Sequence, residues 1–252
     1  MNYKTFFNEA KLKGITESEL TISGSYNISI ELFESQVSKY NISESKLFSA
    51  RGIIDGKLGF ANTEEDGKPG ITFLVNQIVN NSKLIEKDSN PFIFKGSKKY
   101  KKKNLYSTKL DEYPMEKKVA RLYEIEQKIK EYDKRIFQIE GVEYSESRDT
   151  FAMYNSHGLK LKQGSNCYVY VASIAVRGEN DEVKTGFKLF FDNDPEKFDV
   201  DKFVKELCDD ALNKLGGTPC KSGKYKCVLS GKVTASLMHP YVASSSSEEV
   251  QK

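Results

Sequence analysis

No apolar run near the N-terminus is long enough to lead the chain through a membrane. MNYKTFFNEAKLKGITESEL is broken by Lys4, Glu9, Lys11 and Lys13, so it reads as neither a signal peptide nor a spanning segment, and the expected location is cytoplasmic. Charge of one sign is also lacking. Lys plus Arg number 39 against 36 for Asp plus Glu, and a net charge of +3 gives no bulk argument for nucleic acid. Cysteine is sparse: Cys167, Cys208, Cys220 and Cys227 include no C-x-x-C unit, which excludes zinc ribbons and thioredoxin-like sites and leaves four reduced thiols. The G-x-S-x-G elbow, the G-x-x-x-x-G-K-[ST] phosphate loop and the G-x-G-x-x-G fingerprint are all missing. At 252 residues the chain can nevertheless bury a substantial core without disulfides.

What is present is strand and helix periodicity in alternating blocks. The first 65 residues read as sheet. Tyr26, Ile28, Ile30 and Leu32 alternate with polar residues, Val37 to Ile42 repeats the pattern, and Leu47 to Ile54 runs into Asp55-Gly56. Asp-Gly between apolar runs predicts a hairpin because both turn residues must tolerate positive φ, and Lys57 to Ala61 is the expected partner strand. Ile71, Leu74, Val75, Ile78 and Ile85 then take helical spacing. A second helix, opened by Pro114, is expected to carry Leu122, Ile125, Ile129, Tyr132, Ile136 and Ile139 on one face and to end at Gly141. The pairs Glu124/Lys128, Glu126/Lys130 and Glu131/Arg135 lie four residues apart on it. Strands follow at Thr150 to Tyr154, Tyr168 to Val176 and Thr185 to Phe191, with Asn155-Ser156-His157-Gly158 as a turn. A third helix places Phe203, Leu207, Ala211 and Leu215 on one face and is closed by Gly216-Gly217. The order predicts an α+β fold of antiparallel sheets with packed helices. The expected division is an N-terminal α+β domain over 1–86, a Lys-rich linker over 87–113, a central α+β domain over 114–217, and the start of a further domain over 218–252.

Three segments carry a family likeness. SYNISIELFESQVSKYNISESKLFSARGIIDGKLGFANTE, MYNSHGLKLKQGSNCYVYVASIAV and GGTPCKSGKYKCVLSGKVTASLMHPYVASSSSEEVQK together resemble the TldD/PmbA family. Its members are named modulators of DNA gyrase and are also called the TldD/TldE metalloprotease. Family members have a β-rich C-terminal half, so the resemblance implies a chain truncated as that half begins.

In the catalytic subunit of that family a helix carries H-E-x-x-x-H, in which two imidazoles bind zinc and the glutamate acts as general base. The resemblance puts His239 on the first histidine, Pro240 on the glutamate and Ser244 on the second histidine. Proline has no carboxylate and breaks the helix. The implied protein is therefore closest to the metal-free PmbA/TldE-type subunit, with no catalytic residue and no cofactor of its own. It would pair with a TldD-like catalytic subunit that holds zinc, or associate with itself, and act on peptide substrates and flexible proteins, with no membrane partner.

Two rival readings stand beside this one. One is an active zinc metallopeptidase that uses His239 as a ligand. The other is a nucleic-acid-binding module acting through the run from Lys95 to Lys103, where Lys98, Lys99, Lys101, Lys102 and Lys103 flank Tyr100. No Arg or further aromatic interleaves with those lysines, so a solvated, self-repelling linker is the better reading of the run. His157 reads as a turn residue.

Overall fold

The computed structural model describes residues 1–85 and 91–246. The last residue of the expected N-terminal domain, the beginning of the expected linker at 87–90 and the helical composition at 248–250 lie outside the described residues. Met1–Gly216 forms one compact unit, and the chain from Gly217 onward forms a second.

The first unit is built on six antiparallel strands. They are β1 (Glu17–Phe33), β2 (Gln36–Ile54), β3 (Lys57–Thr63), β4 (Ile136–Asn155), β5 (Lys160–Arg177) and β6 (Val183–Asp192). In space they run β3-β2-β1-β4-β5-β6. The α+β class holds, and the strands before and after the Lys-rich segment share one continuous sheet.

Antiparallel pairing places opposed residues on the same face, and the register shows which face is covered. Leu20 lies opposite Ala50 and Tyr154, and Ile30 lies opposite Tyr144, which in turn opposes Tyr170. All these residues except Tyr154, at 7%, are no more than 2% exposed. Helices α1 (Tyr3–Leu12) and α2 (Gly67–Leu84) cover this face at one end, enclosing Phe6, Leu20, Phe48, Ile71, Leu74 and Ile78. At the other end α4 (Met115–Tyr132) and α5 (Val200–Leu212) enclose Ile30, Leu122, Ile125, Tyr144, Tyr170 and Leu207. The short α3 (Thr108–Glu112) adds Leu110 to the second core. Strand β1 feeds both cores from one face.

Asp55 and Gly56 both adopt positive φ, 52° and 71°, and join β2 to β3 as their sequence predicts. Two other expectations need correction. Residues 3–12 are helix and not strand. Asn2 Oδ1 accepts from the backbone N–H groups of Lys4 and Thr5, and Phe6 and Ala10, four apart, enter the core together. The second long helix ends at Tyr132 and not at Gly141. Asp133 turns extended, its carboxylate accepts from the Arg135 N–H, and Ile136 begins β4. Irregular register at Ile136/Gln138 and at Ile139/Gly141 marks β-bulges, which offset the strand's alternation. Spacing of three between Ile136, Ile139 and Val142 thus imitates a helix while belonging to a bulged strand. Glu124/Lys128 and Glu126/Lys130 form their ion pairs, whereas Arg135 turns back to Asp133 and Glu131 accepts from Gln127.

Gly59 and Gly52 face each other across β3 and β2, and α2 runs directly over them. A Cβ on Gly59 would stand 2.0 Å from the Ile78 carbonyl oxygen, a backbone atom that cannot step aside without moving α2. Gly59→Ala is therefore expected to destabilise the first unit by roughly 1–3 kcal/mol, as overpacking does, read as a lowered urea midpoint.

In the second unit, α6 (Gly231–Ser244) is capped by Ser230, whose hydroxyl accepts from the Val233 N–H. None of its side chains is buried, and Val233, Leu237, Met238, Tyr241 and Val242 are all exposed. A short helix with no packed face is marginal in water, and Pro240 inside it removes one backbone donor. Amide hydrogen exchange should be fast over 231–244 and slow over Tyr168 to Val176. Equal, strong protection in a monomer would contradict this.

Candidate functional site

Two places in the first unit gather chemistry, and both involve β4. The first is a buried charge cluster. Lys118 on α4 is 2% exposed, and its ammonium donates to Glu146 on β4, whose side chain is fully buried. The Tyr144 hydroxyl donates to the same carboxylate oxygen, and Arg148 donates to the other from Nε at 2.9 Å. Arg148 also pairs with Asp111 at 3.2 Å, and its guanidinium lies over the Tyr26 ring at 5.4 Å. Burial first, and then the neighbouring Glu146 carboxylate, pushes the Tyr144 phenol far above its ordinary value, so it remains a donor. A carboxylate satisfied by three donors in a dry interior fixes α4 against the sheet. It leaves no open position for a substrate or a metal.

The second place is the Asn155-Ser156-His157-Gly158 turn between β4 and β5. Asn155 is its hub. Its Oδ1 accepts from the His157 and Leu159 N–H groups, and its Nδ2 donates to the Phe94 carbonyl. Ser156 exchanges hydrogen bonds with Ser18 at the start of β1, and His157 Nε2 lies 3.3 Å from Glu17. The Ile93 N–H, and then the His157 imidazole, hold the Glu17 carboxyl below the usual carboxylate range. Positive φ at Gly158, 95°, closes the turn. The hairpin thereby clamps the strand start of β1 and the segment at 93–94, and an open cleft remains between it and α1.

The residues singled out by sequence lie elsewhere. His239 is exposed on α6, Pro240 follows it within the helix, and the Ser244 hydroxyl donates to the Pro240 carbonyl at 2.8 Å. No group of three or more His, Cys, Asp and Glu among the described residues could hold a metal. An imidazole, a proline and a hydroxyl already spent on a backbone carbonyl do not fit a zinc site. Lys98, Lys99, Lys101, Lys102 and Lys103 are all exposed on irregular backbone, and the Tyr100 hydroxyl accepts from the Ser97 N–H. The segment is pinned to the sheet behind them. Asn166 bonds both the N–H and the carbonyl of Ser107, and Leu105 accepts from the Asn166 N–H. The four cysteines are free, and burial pushes the Cys208 thiol up to about 12. No described helix is long and apolar enough to cross a membrane.

Sequence reasoning missed the Lys118/Glu146 cluster because both residues sit among many exposed charges of the same kind. The one available signal was Lys118 falling four residues before Leu122, on the apolar face of α4. Lys118→Met should destabilise by about 3 kcal/mol, because it strips a buried carboxylate of its closest cation. Lys118→Met combined with Glu146→Gln should cost less than the two single changes summed, with a coupling of roughly 0.5–3 kcal/mol. Additive urea midpoints would show that the pair is not coupled.

Residues 108–215 match the family model described as the PmbA/TldA metallopeptidase central domain. No curated protein sequence matches the chain. Among solved structures, a proposed modulator of DNA gyrase from Bacteroides thetaiotaomicron aligns with a TM-score of 0.85 at 21% identity, covering 96% of this chain and 55% of that one. A second proposed modulator, from Thermotoga maritima, aligns at 0.78 and 18%, covering 88% and 49%. TldE from Thermococcus kodakarensis aligns at 0.73 and 21%, covering 82% and 46%. At these identities the likeness is one of fold, and this chain spans about half the length of the structures it matches. The segment 108–215, with α4, the bulged β4, β5, β6 and α5, matches the PmbA/TldA metallopeptidase central domain, and the resemblance of this chain to the TldD/PmbA family rests on it.

Proposed function

We propose that this chain is a PmbA/TldE-like, non-catalytic component of a TldD/TldE-type metallopeptidase acting on peptides and flexible proteins in the cytoplasm. The observation that carries the reading is the sequence His239-Pro240-Tyr241-Val242-Ala243-Ser244, which stands where the resemblance puts H-E-x-x-x-H. A metallopeptidase of that type needs a carboxylate to take a proton from the metal-bound water and at least two imidazoles on the ion. Pro240 supplies no base, and Ser244 supplies no imidazole. Neither of the chemically dense places in the first unit substitutes for them, since the Glu146 carboxylate is saturated with donors and His157 is engaged with Glu17.

The shared fold with TldE of Thermococcus kodakarensis supports the subunit assignment. Zinc and the proteolytic base would then belong to a TldD-like partner. The exposed apolar side chains of α6, among them Leu237, Met238, Tyr241 and Val242, suit a helix that packs only on assembly.

Purified chain should retain no stoichiometric zinc after dialysis and should cleave no unfolded peptide. Peptide cleavage abolished by a chelator, together with zinc lost on His239→Ala, would overturn the assignment and establish His239 as a ligand.

A further inference from the structure

The cleft between α1 and the β4–β5 hairpin measures about 760 Å³ and borders the Asn155–Gly158 turn. Lys4 and Lys11 from α1 and Lys160 from β5 line it, and no carboxylate does among the described residues. Several cations of the sheet and helices have an acidic partner, Lys46, Lys118 and Lys130 among them, whereas among the described residues these three have none. Lys160 lies over the Tyr3 ring at 5.6 Å, and Lys4 and Lys11 enter no ion pair. The nearest acids are committed elsewhere: Glu9 accepts from Thr72, and Glu17 accepts from the Ile93 N–H and faces His157. Phe7, Ile15 and Leu159 give the cleft apolar wall, and Asn8, Thr16 and Ser156 add uncharged polar groups.

We propose that this cleft binds an acidic polypeptide segment, with carboxylates set on Lys4, Lys11 and Lys160 and an apolar side chain between Phe7 and Leu159. The choice of polypeptide rests on the peptide-handling function proposed above; the positive charge and the apolar walls do not. Lys11 lies seven positions after Lys4, about 10 Å along α1. One small anion cannot touch both, whereas an extended chain with several carboxylates can. Unpaired cations on low-dielectric walls favour such a ligand and speed its capture. Single-stranded nucleic acid is the poorer fit. It needs open aromatic faces for its bases, and Tyr3 is stacked on Tyr154 at 4.2 Å on one side with Lys160 over its ring.

The test uses the full chain and fluorescence anisotropy with three labelled probes: a peptide of alternating Glu and Leu, its Gln-for-Glu counterpart, and an oligothymidylate of equal length. The Glu peptide should bind, more weakly as salt is added, and the Gln peptide should not. Lys4→Gln, Lys11→Gln and Lys160→Gln combined should weaken binding by roughly tenfold or more, as three lost surface ion pairs would. The Lys4→Gln, Lys11→Gln pair alone, which leaves the Tyr3 contact intact, should give part of that loss. Lys98→Gln, Lys99→Gln and Lys101→Gln combined should leave binding unchanged. Circular dichroism confirms folding of each variant. Equal binding of the Gln peptide, tighter binding of the oligothymidylate, or wild-type affinity in the triple cleft variant would overturn the proposal. None of these readouts involves zinc or cleavage, so such a failure leaves the subunit assignment standing.

Discussion

Strand β1 is hydrogen-bonded along both edges, to β2 on one side and β4 on the other, and its even-numbered residues from Leu20 to Leu32 must all face one layer of helices. Everything else follows from this double obligation. A slip of one residue in either pairing would turn Leu20, Ile28, Ile30 and Leu32 to the bare side and empty both cores at once. The register is therefore held at its ends by specific contacts. At one end Ser18 and Glu17 meet the Asn155–Gly158 turn, and at the other Ser35 bonds Glu126 of α4 through its N–H and hydroxyl.

The charge cluster belongs to the same logic. Glu146 lies opposite Ile28 and Tyr168 on the covered face, where a hydrophobic residue would serve packing as well. A buried ion pair is weak evidence for stability, but its geometry is selective. Lys118 reaches a saturated carboxylate from only one azimuth of α4, so the cluster sets how that helix lies on the strands. The chemistry concentrated there positions the fold and leaves ligand binding to the wetter cleft near α1.

Local signals were legible where one interaction dominates. Asp55-Gly56 needs two positive φ angles and nothing more distant, and α2 and α5 show their buried faces directly. Sequence reasoning failed where a distant partner decides. Ile136 and Ile139 keep helical spacing, and only bulged pairing with Ile174 and Val176 makes them strand. Phe6 and Ala10 become helical anchors because β1, β2 and α2 form a pocket for them. Since residues 3–12 read as part of a sheet, the cleft that α1 walls was invisible, and Lys4 and Lys11 registered only as breaks in an apolar run. The family likeness compensated in part. It repeated the NSHG turn already legible from its residues, whose role as a clamp needed coordinates.

The sheet order also fixes an order of events. β1, β2 and β3 follow one another as a meander, and so do β4, β5 and β6, so each set can pair soon after it is made. The β1–β4 seam joins residues as far apart as Glu19 and Asn155. During synthesis the inner edge of β1 has no partner until β4 has left the ribosome. Closing so long a loop is slow relative to the hairpins on either side. Newly made chains thus spend an interval as a half-sheet with a bare edge, and that interval is the period of greatest exposure to strand exchange with a neighbouring chain.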